Sequence, residues 1–93
     1  MRGNSILLFS NKMFPYDIMS QIAMEQNEYS QAIEFLYKAI ELDQKNSAVY
    51  YDLGNALSEH GELDEAVKQY QKAIELKPDE ANYHYGLGEA LQL

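Results

Sequence analysis

Apolar residues fall three and four apart along most of this chain. Between residues 30 and 43 they stand at Ala32, Ile33, Leu36, Ala39, Ile40 and Leu42, the spacing that gathers one face of an α-helix. Similar spacing, interrupted by polar clusters, glycine and proline, predicts five helices. They run over about 14–26, 30–43 and 47–59, then from near Asp64 to Lys77, then from Ala81 onward. Pro15 is acceptable in an opening turn, where an amide hydrogen has no intrahelical acceptor. Asp43-Gln44-Lys45-Asn46 forms a polar turn, and Asn46 or Ser47 can cap the helix after it. His60-Gly61 breaks the chain, because glycine has no Cβ to clash in the left-handed backbone that ends helices. Asp64 and Glu65 suit the positive end of a helix, and Pro78 denies the fourth helix another turn. No segment carries a strand pattern, and the short connections imply antiparallel neighbours.

The pattern then repeats. Lys38-Ala39-Ile40-Glu41-Leu42 recurs unchanged, 34 residues on, as Lys72-Ala73-Ile74-Glu75-Leu76. Tyr16, Glu28 and Ala32 recur as Tyr50, Glu62 and Ala66; Tyr51, Leu53, Gly54, Ala56 and Leu57 recur as Tyr85, Leu87, Gly88, Ala90 and Leu91. A period of about 34 residues is the signature of a stacked helix–turn–helix repeat.

Residues 47–80 read Tyr50-x2-Leu53-Gly54-x2-Leu57, then Ala66-x3-Tyr70, then Ala73 and Pro78. This resembles the tetratricopeptide repeat pattern, with Tyr50 where the family often has Trp and Tyr70 where it often has Phe. Gly54, Ala66 and Ala73 are small enough for helices to approach to about 8–10 Å, and Tyr50, Leu53, Leu57 and Tyr70 fill the space between them. Residues 13–46 read Tyr16-x2-Met19-Ser20-x2-Ala23, then Ala32-x3-Leu36 and Ala39, with Gln44 where the family has Pro. Residues 81–93 read His84-x2-Leu87-Gly88-x2-Leu91 and supply the first helix of a third repeat, or a capping helix. Residues 1–12 do not match and read as an irregular segment or degenerate helix tail. The resemblance implies an all-α, right-handed α-solenoid of antiparallel helix pairs, with about two and a half repeats and roughly five helices over residues 13–93.

Composition narrows the function. Ninety-three residues give room for one small domain. There is no cysteine, hence no disulfide framework and no thiolate metal site. A net charge of −8 argues against nucleic acid, which calls for a basic face, and against an anionic membrane surface. The run Ile6-Leu7-Leu8-Phe9 is shorter than the roughly 7–15 apolar residues of a secretory signal and far from the about 20 of a membrane span. The expected location is cytoplasmic.

Chemistry finds little support. His60 falls in a turn, and His84 takes an inter-helix packing position; neither has a metal partner at helical ligand spacing. Gly86-x-Gly88 lacks the third glycine and the preceding strand of a dinucleotide loop, so a packing role is expected. Abundant surface carboxylates lack the burial that tunes catalytic groups. The expectation is a non-enzyme with no cofactor, no metal and no catalytic residue.

Charge is distributed unevenly. Stretches 14–26, 47–60 and 81–93 contain no Lys or Arg, whereas Lys38, Lys45, Lys68, Lys72 and Lys77 all lie in the intervening helices or the turns after them. Glu34–Lys38 and Asp64–Lys68 have the (i, i+4) spacing of ordinary surface pairs. In the family, the first helix of each repeat lines a concave face. The resemblance therefore implies an acidic concave face carrying Asp17, Gln21, Tyr51, Asn55, Glu59, Asn82, Tyr85 and Glu89. Tyrosine and asparagine offer contact area and adaptable hydrogen bonds to an extended peptide, and the charge favours a neutral or basic one. Some members grip a peptide's C-terminal carboxylate with Lys and Arg beside an Asn. Here Asp17 and Tyr51 stand at the lysine positions and only Asn55 fits, so that specialisation is not expected.

The leading expectation is thus a protein–protein interaction scaffold that binds a peptide or protein segment on the concave face. Two alternatives stay open. One is an assembly element that stacks end to end, self-associating through an exposed C-terminal helix with Leu87, Leu91 and Leu93. The other is a regulatory array cut from a larger protein, such as a glycosyltransferase.

Overall fold

A computed structural model describes residues 15–92. The segment 1–12, the start of the first helix at Phe14, and Leu93 lie outside the described residues. Five helices follow in order: α1 Tyr16–Glu25, α2 Tyr29–Leu42, α3 Ser47–Glu59, α4 Leu63–Leu76 and α5 Ala81–Leu91. There is no strand among the described residues. Each helix packs on its neighbours in sequence, and α3 also meets α5. The layers measure 36 × 26 × 17 Å.

The ends follow local chemistry. Pro15 is not in the first turn but caps it in extended backbone, its carbonyl accepting the Met19 amide at 3.1 Å. Asn46 caps α3, its Oδ1 accepting the Ala48 amide at 3.1 Å. The α1–α2 and α3–α4 turns are built alike. Asn27 (φ 60°) and Gly61 (φ 89°) occupy the left-handed region, 34 residues apart. The next amide reaches back across the turn, Glu28 to the Ala23 carbonyl and Glu62 to that of Leu57, each at 2.8 Å. That is the six-to-one closure of a Schellman motif, which satisfies carbonyls the helix end leaves free.

The core runs through α1, α2, α3 and α4 and takes in Ala90 of α5. Met19, Leu36 and Leu53 are fully buried, and Ala23, Ala32, Ala56 and Ala66 are buried where helices meet. Burying each Leu contributes about 1.5–3 kcal/mol. A smaller cluster of Tyr50, Ala73 and Tyr83 ties α5 to the stack. Tyr50 donates to the Gln44 carbonyl at 3.0 Å, and the Tyr83 hydroxyl meets that of Ser47 at 3.1 Å. His84, 34 residues after Tyr50, is not packed between helices as expected. Its ring is exposed, with Nε2 2.8 Å from the Pro78 carbonyl, so it pins its helix to the preceding turn as Tyr50 does. Tyr83 takes the buried place instead. The surface ion pairs found are (i, i+3): Lys68 with Glu65 at 3.7 Å, Lys72 with Glu75 at 3.2 Å and Lys77 with Glu80 at 3.4 Å. Lys68 thus turns to Glu65 and not to Asp64.

Candidate functional site

Helices α1, α3 and α5 bring their exposed faces together above α2 and α4, leaving two open hollows. The first, about 310 Å³, is lined by Ser20, Gln21, Met24 and Glu25 of α1, Asp52 and Asn55 of α3, and Leu36 from α2 below. The second is larger, about 510 Å³. Its walls are Tyr51, Asn55, Ser58 and Glu59 of α3 with Tyr85, Gly86 and Glu89 of α5; Met24 closes one side and Tyr70 of α4 forms the floor. Met24 and Asn55 border both hollows, so the two adjoin along one face as a two-part groove.

Tyr70 sets the shape of the second hollow. Its ring lies between two glycines: a Cβ at Gly54 would come within 2.7 Å of Tyr70 Cε1, and one at Gly86 within 2.8 Å. Contacts that short leave no room for a side chain on either helix, so both glycines are needed for the ring to fit. The phenol then donates to Asn55 Oδ1 at 2.6 Å, which engages the amide oxygen and leaves the amide nitrogen as a donor. Tyr51 leans over this floor, its ring centroid 5.9 Å from that of Tyr70 and 5.0 Å from that of Tyr83. These are ordinary aromatic contact distances. Tyr85 is different: 70% of it is exposed, so its ring is available to a ligand.

The groove's electrostatics are negative. Burial, and then the charge of Asp17, push the Asp52 carboxyl up to about 6. Burial raises Tyr70 as well; a Ser58 hydrogen bond opposes this, and the nearby Tyr51 and Glu59 add to it. Hydrogen bonding and charge from Glu89, one turn along α5, raise Tyr85. No Lys or Arg lines either hollow among the described residues.

Five of the eight residues expected on this face line the second hollow: Tyr51, Asn55, Glu59, Tyr85 and Glu89. Gln21 lines the first. Asp17 borders a separate hollow with Pro15, Leu42 and Val49, and Asn82 is exposed at the start of α5 without lining either part of the groove. The floor and the remaining walls are not among the eight. The repeat pattern marks Tyr70 as filling, but a tyrosine in place of an apolar ring carries a hydroxyl that must find a partner when buried. Asp52 and Gly86 share one column of the repeat, and the change from carboxylate to no side chain was the available signal. Among the described residues no group of His, Asp and Glu is placed to hold a metal ion, and no helix is long and apolar enough to cross a membrane.

A family model described as TPR repeat matches residues 21–61 and 55–93. Among solved structures, a crystal structure of MamA aligns with a TM-score of 0.80 and 31% identity, over 83% of this chain and 45% of that one. MamA AMB-1 aligns at 0.76 and 26%, over 83% and 42%. MamA MSR-1 aligns at 0.81 over 98% of this chain and 52% of its own; at 24% identity it speaks for the fold alone. The chain spans about half the length of these structures. No curated protein sequence matches it.

Proposed function

The chain belongs to the TPR repeat family, and on that footing we propose that it is a non-catalytic scaffold holding an extended, neutral or basic peptide segment in the groove across α1, α3 and α5. Residues 13–46 and 47–80 would be its two repeats, and 81–93 the first helix of a third. The observation that carries the reading is the second hollow. It places exposed Tyr85 beside Tyr51, Asn55 and two carboxylates, over a floor held open by paired glycines. A packed, rigid floor under exposed aromatic and amide groups suits a binding surface, because little has to be ordered when the ligand arrives.

The test is amide-shift mapping of the isotope-labelled chain with extended peptides of varied sequence. Binding should perturb Asn55, Tyr85 and Glu89, and Tyr85→Ala should weaken it about tenfold, a typical cost for an exposed aromatic anchor. Perturbations confined to α2 and α4 would overturn the reading.

A second reading rests on α5. Leu91 is 63% exposed, and a Cβ at Gly88 would meet nothing within 4 Å, so this face is open to a further helix. Assembly through it would appear in sedimentation as self-association abolished by Leu91→Gln and untouched by Tyr85→Ala.

A further inference from the structure

We propose that the second hollow receives an arginine side chain of the bound segment, its guanidinium stacked on Tyr85 and Tyr51 and paired with Glu59 and Glu89. This inference rests on the groove reading and names the chemistry of its anchor.

Three features of the hollow meet only in this ligand. Its lining is aromatic, and two of the three tyrosines, Tyr51 and Tyr85, come from different helices, α3 and α5. A cation is drawn to such faces, and arginine more often than lysine, because its plane also stacks. Its rim is anionic: Glu59 on α3 and Glu89 on α5 are both exposed, and neither takes part in an ion pair found among the described residues. Carboxylates on both helices suit a planar fork with five donors, which can serve two acceptors at once. The volume, about 510 Å³, admits a long side chain where the first hollow, about 310 Å³, carries Asp52 inside it. Glu89 also raises Tyr85, so one of these carboxylates acts on a ring the cation would contact. A neutral apolar anchor would gain the rings but leave two carboxylates facing it, and an acidic anchor would be repelled.

The first hollow supplies an internal contrast. It has carboxylates in Glu25 and Asp52 but no aromatic wall, its floor being Leu36. It can attract a cation but cannot stack one.

The test titrates the whole chain with N-acetyl-arginine amide and with N-acetyl-citrulline amide, a near-isostere without the charge, following the amides of Tyr51, Asn55, Gly86 and Glu89. The arginine probe should bind at least about fivefold more tightly than the citrulline probe. Glu89→Gln should weaken it about fivefold; Tyr85→Leu should do the same, while Tyr85→Phe keeps it, as expected for a cation on a ring face. All three substitutions are at exposed positions, so the fold should survive and can be checked by the same spectra. Equal shifts from both probes, or no saturable shift at these amides, would overturn the arginine assignment. A parallel titration with arginine-free extended peptides separates the two failures. If they still perturb the groove, the scaffold reading stands and only the arginine anchor falls; if they do not, both fall.

Discussion

The two hollows are the same construction made twice. Six of the seven residues lining the first move by 34 positions onto the second: Gln21, Met24, Glu25, Leu36, Asp52 and Asn55 become Asn55, Ser58, Glu59, Tyr70, Gly86 and Glu89. The seventh, Ser20, becomes Gly54 against the Tyr70 ring. The backbone supplies one mould and side chains fill it differently. In the first, a leucine floor lies under a carboxylate. In the second, a tyrosine floor has a glycine above it, and tyrosines are added at the walls. The exchange is coupled, because the larger ring of Tyr70 fits only where Gly54 and Gly86 give it space. A repeat fold thus lets one unit be specialised while its neighbour keeps the packing, since each unit contacts only those adjacent to it.

The sharpest way to break this comparison is to undo the exchange at one end. Gly86→Val places atoms where the Tyr70 ring lies and should cost about 1–3 kcal/mol, the usual range for overpacking a tight contact. Tyr70→Leu restores the residue type of the first hollow and makes the space. The double variant should therefore be more stable than the sum of the single effects by about 1 kcal/mol or more. Urea unfolding of the four chains measures this, and strict additivity would show that the ring and the glycine are independent.

Asp52 marks what the second hollow gave up, and it offers the next test. Its carboxyl is pushed up to about 6 from an ordinary 3.8, first by burial and then by Asp17. Between those values the folded chain keeps a proton that the unfolded chain has released. Stability from this residue is therefore present at pH 4, falls as pH rises through about 6, and is absent at pH 7. Asp52→Asn should stabilise the chain at pH 7 by about 1 kcal/mol, allowing for solvent screening of a partly exposed group, and by almost nothing at pH 4. Asp17→Asn should lower the Asp52 titration midpoint, read by carbon NMR of the carboxyl; an unchanged midpoint would leave burial as the whole cause.

The sequence made the periodic part of this visible. Helix order, short turns and the shared 34-residue register follow from residues that recur. Four of the second hollow's lining residues, Tyr51, Asn55, Tyr85 and Glu89, follow from helical phase, and Glu59 from the charge pattern. What escaped is what breaks the period. Tyr70 and Gly86 matter through each other, across α4 and α5, and no spacing along one helix reports such a contact. Tyr83 is buried against Tyr50, Tyr51 and Ala73 with its hydroxyl on Ser47, 36 residues away, while the 34-residue register points to His84 beside it. Asp17 and Asn82 lie at helix beginnings, where a one-turn displacement along the axis takes a side chain out of the groove even when its phase is right.

The turns repeat the comparison at smaller scale, and the last prediction concerns them. Asn27 and Gly61 hold the same left-handed backbone and close the same Schellman bond, yet only the glycine announces itself in sequence. Asparagine tolerates this region better than other residues with a Cβ because its short amide bonds locally. Here the Asn27 Oδ1 accepts the Tyr29 hydroxyl at 2.9 Å. Asn27→Gly would relieve the residual strain. It would also lose that exposed hydrogen bond and give the unfolded chain more freedom. These effects oppose one another, so the net change should stay within about 0.5 kcal/mol. Adding Tyr29→Phe decides which side dominates. If the hydrogen bond is what makes asparagine acceptable, Asn27→Gly will be more favourable in the Tyr29→Phe background than in the wild type; if the two effects simply add, the asparagine is tolerated for its backbone alone.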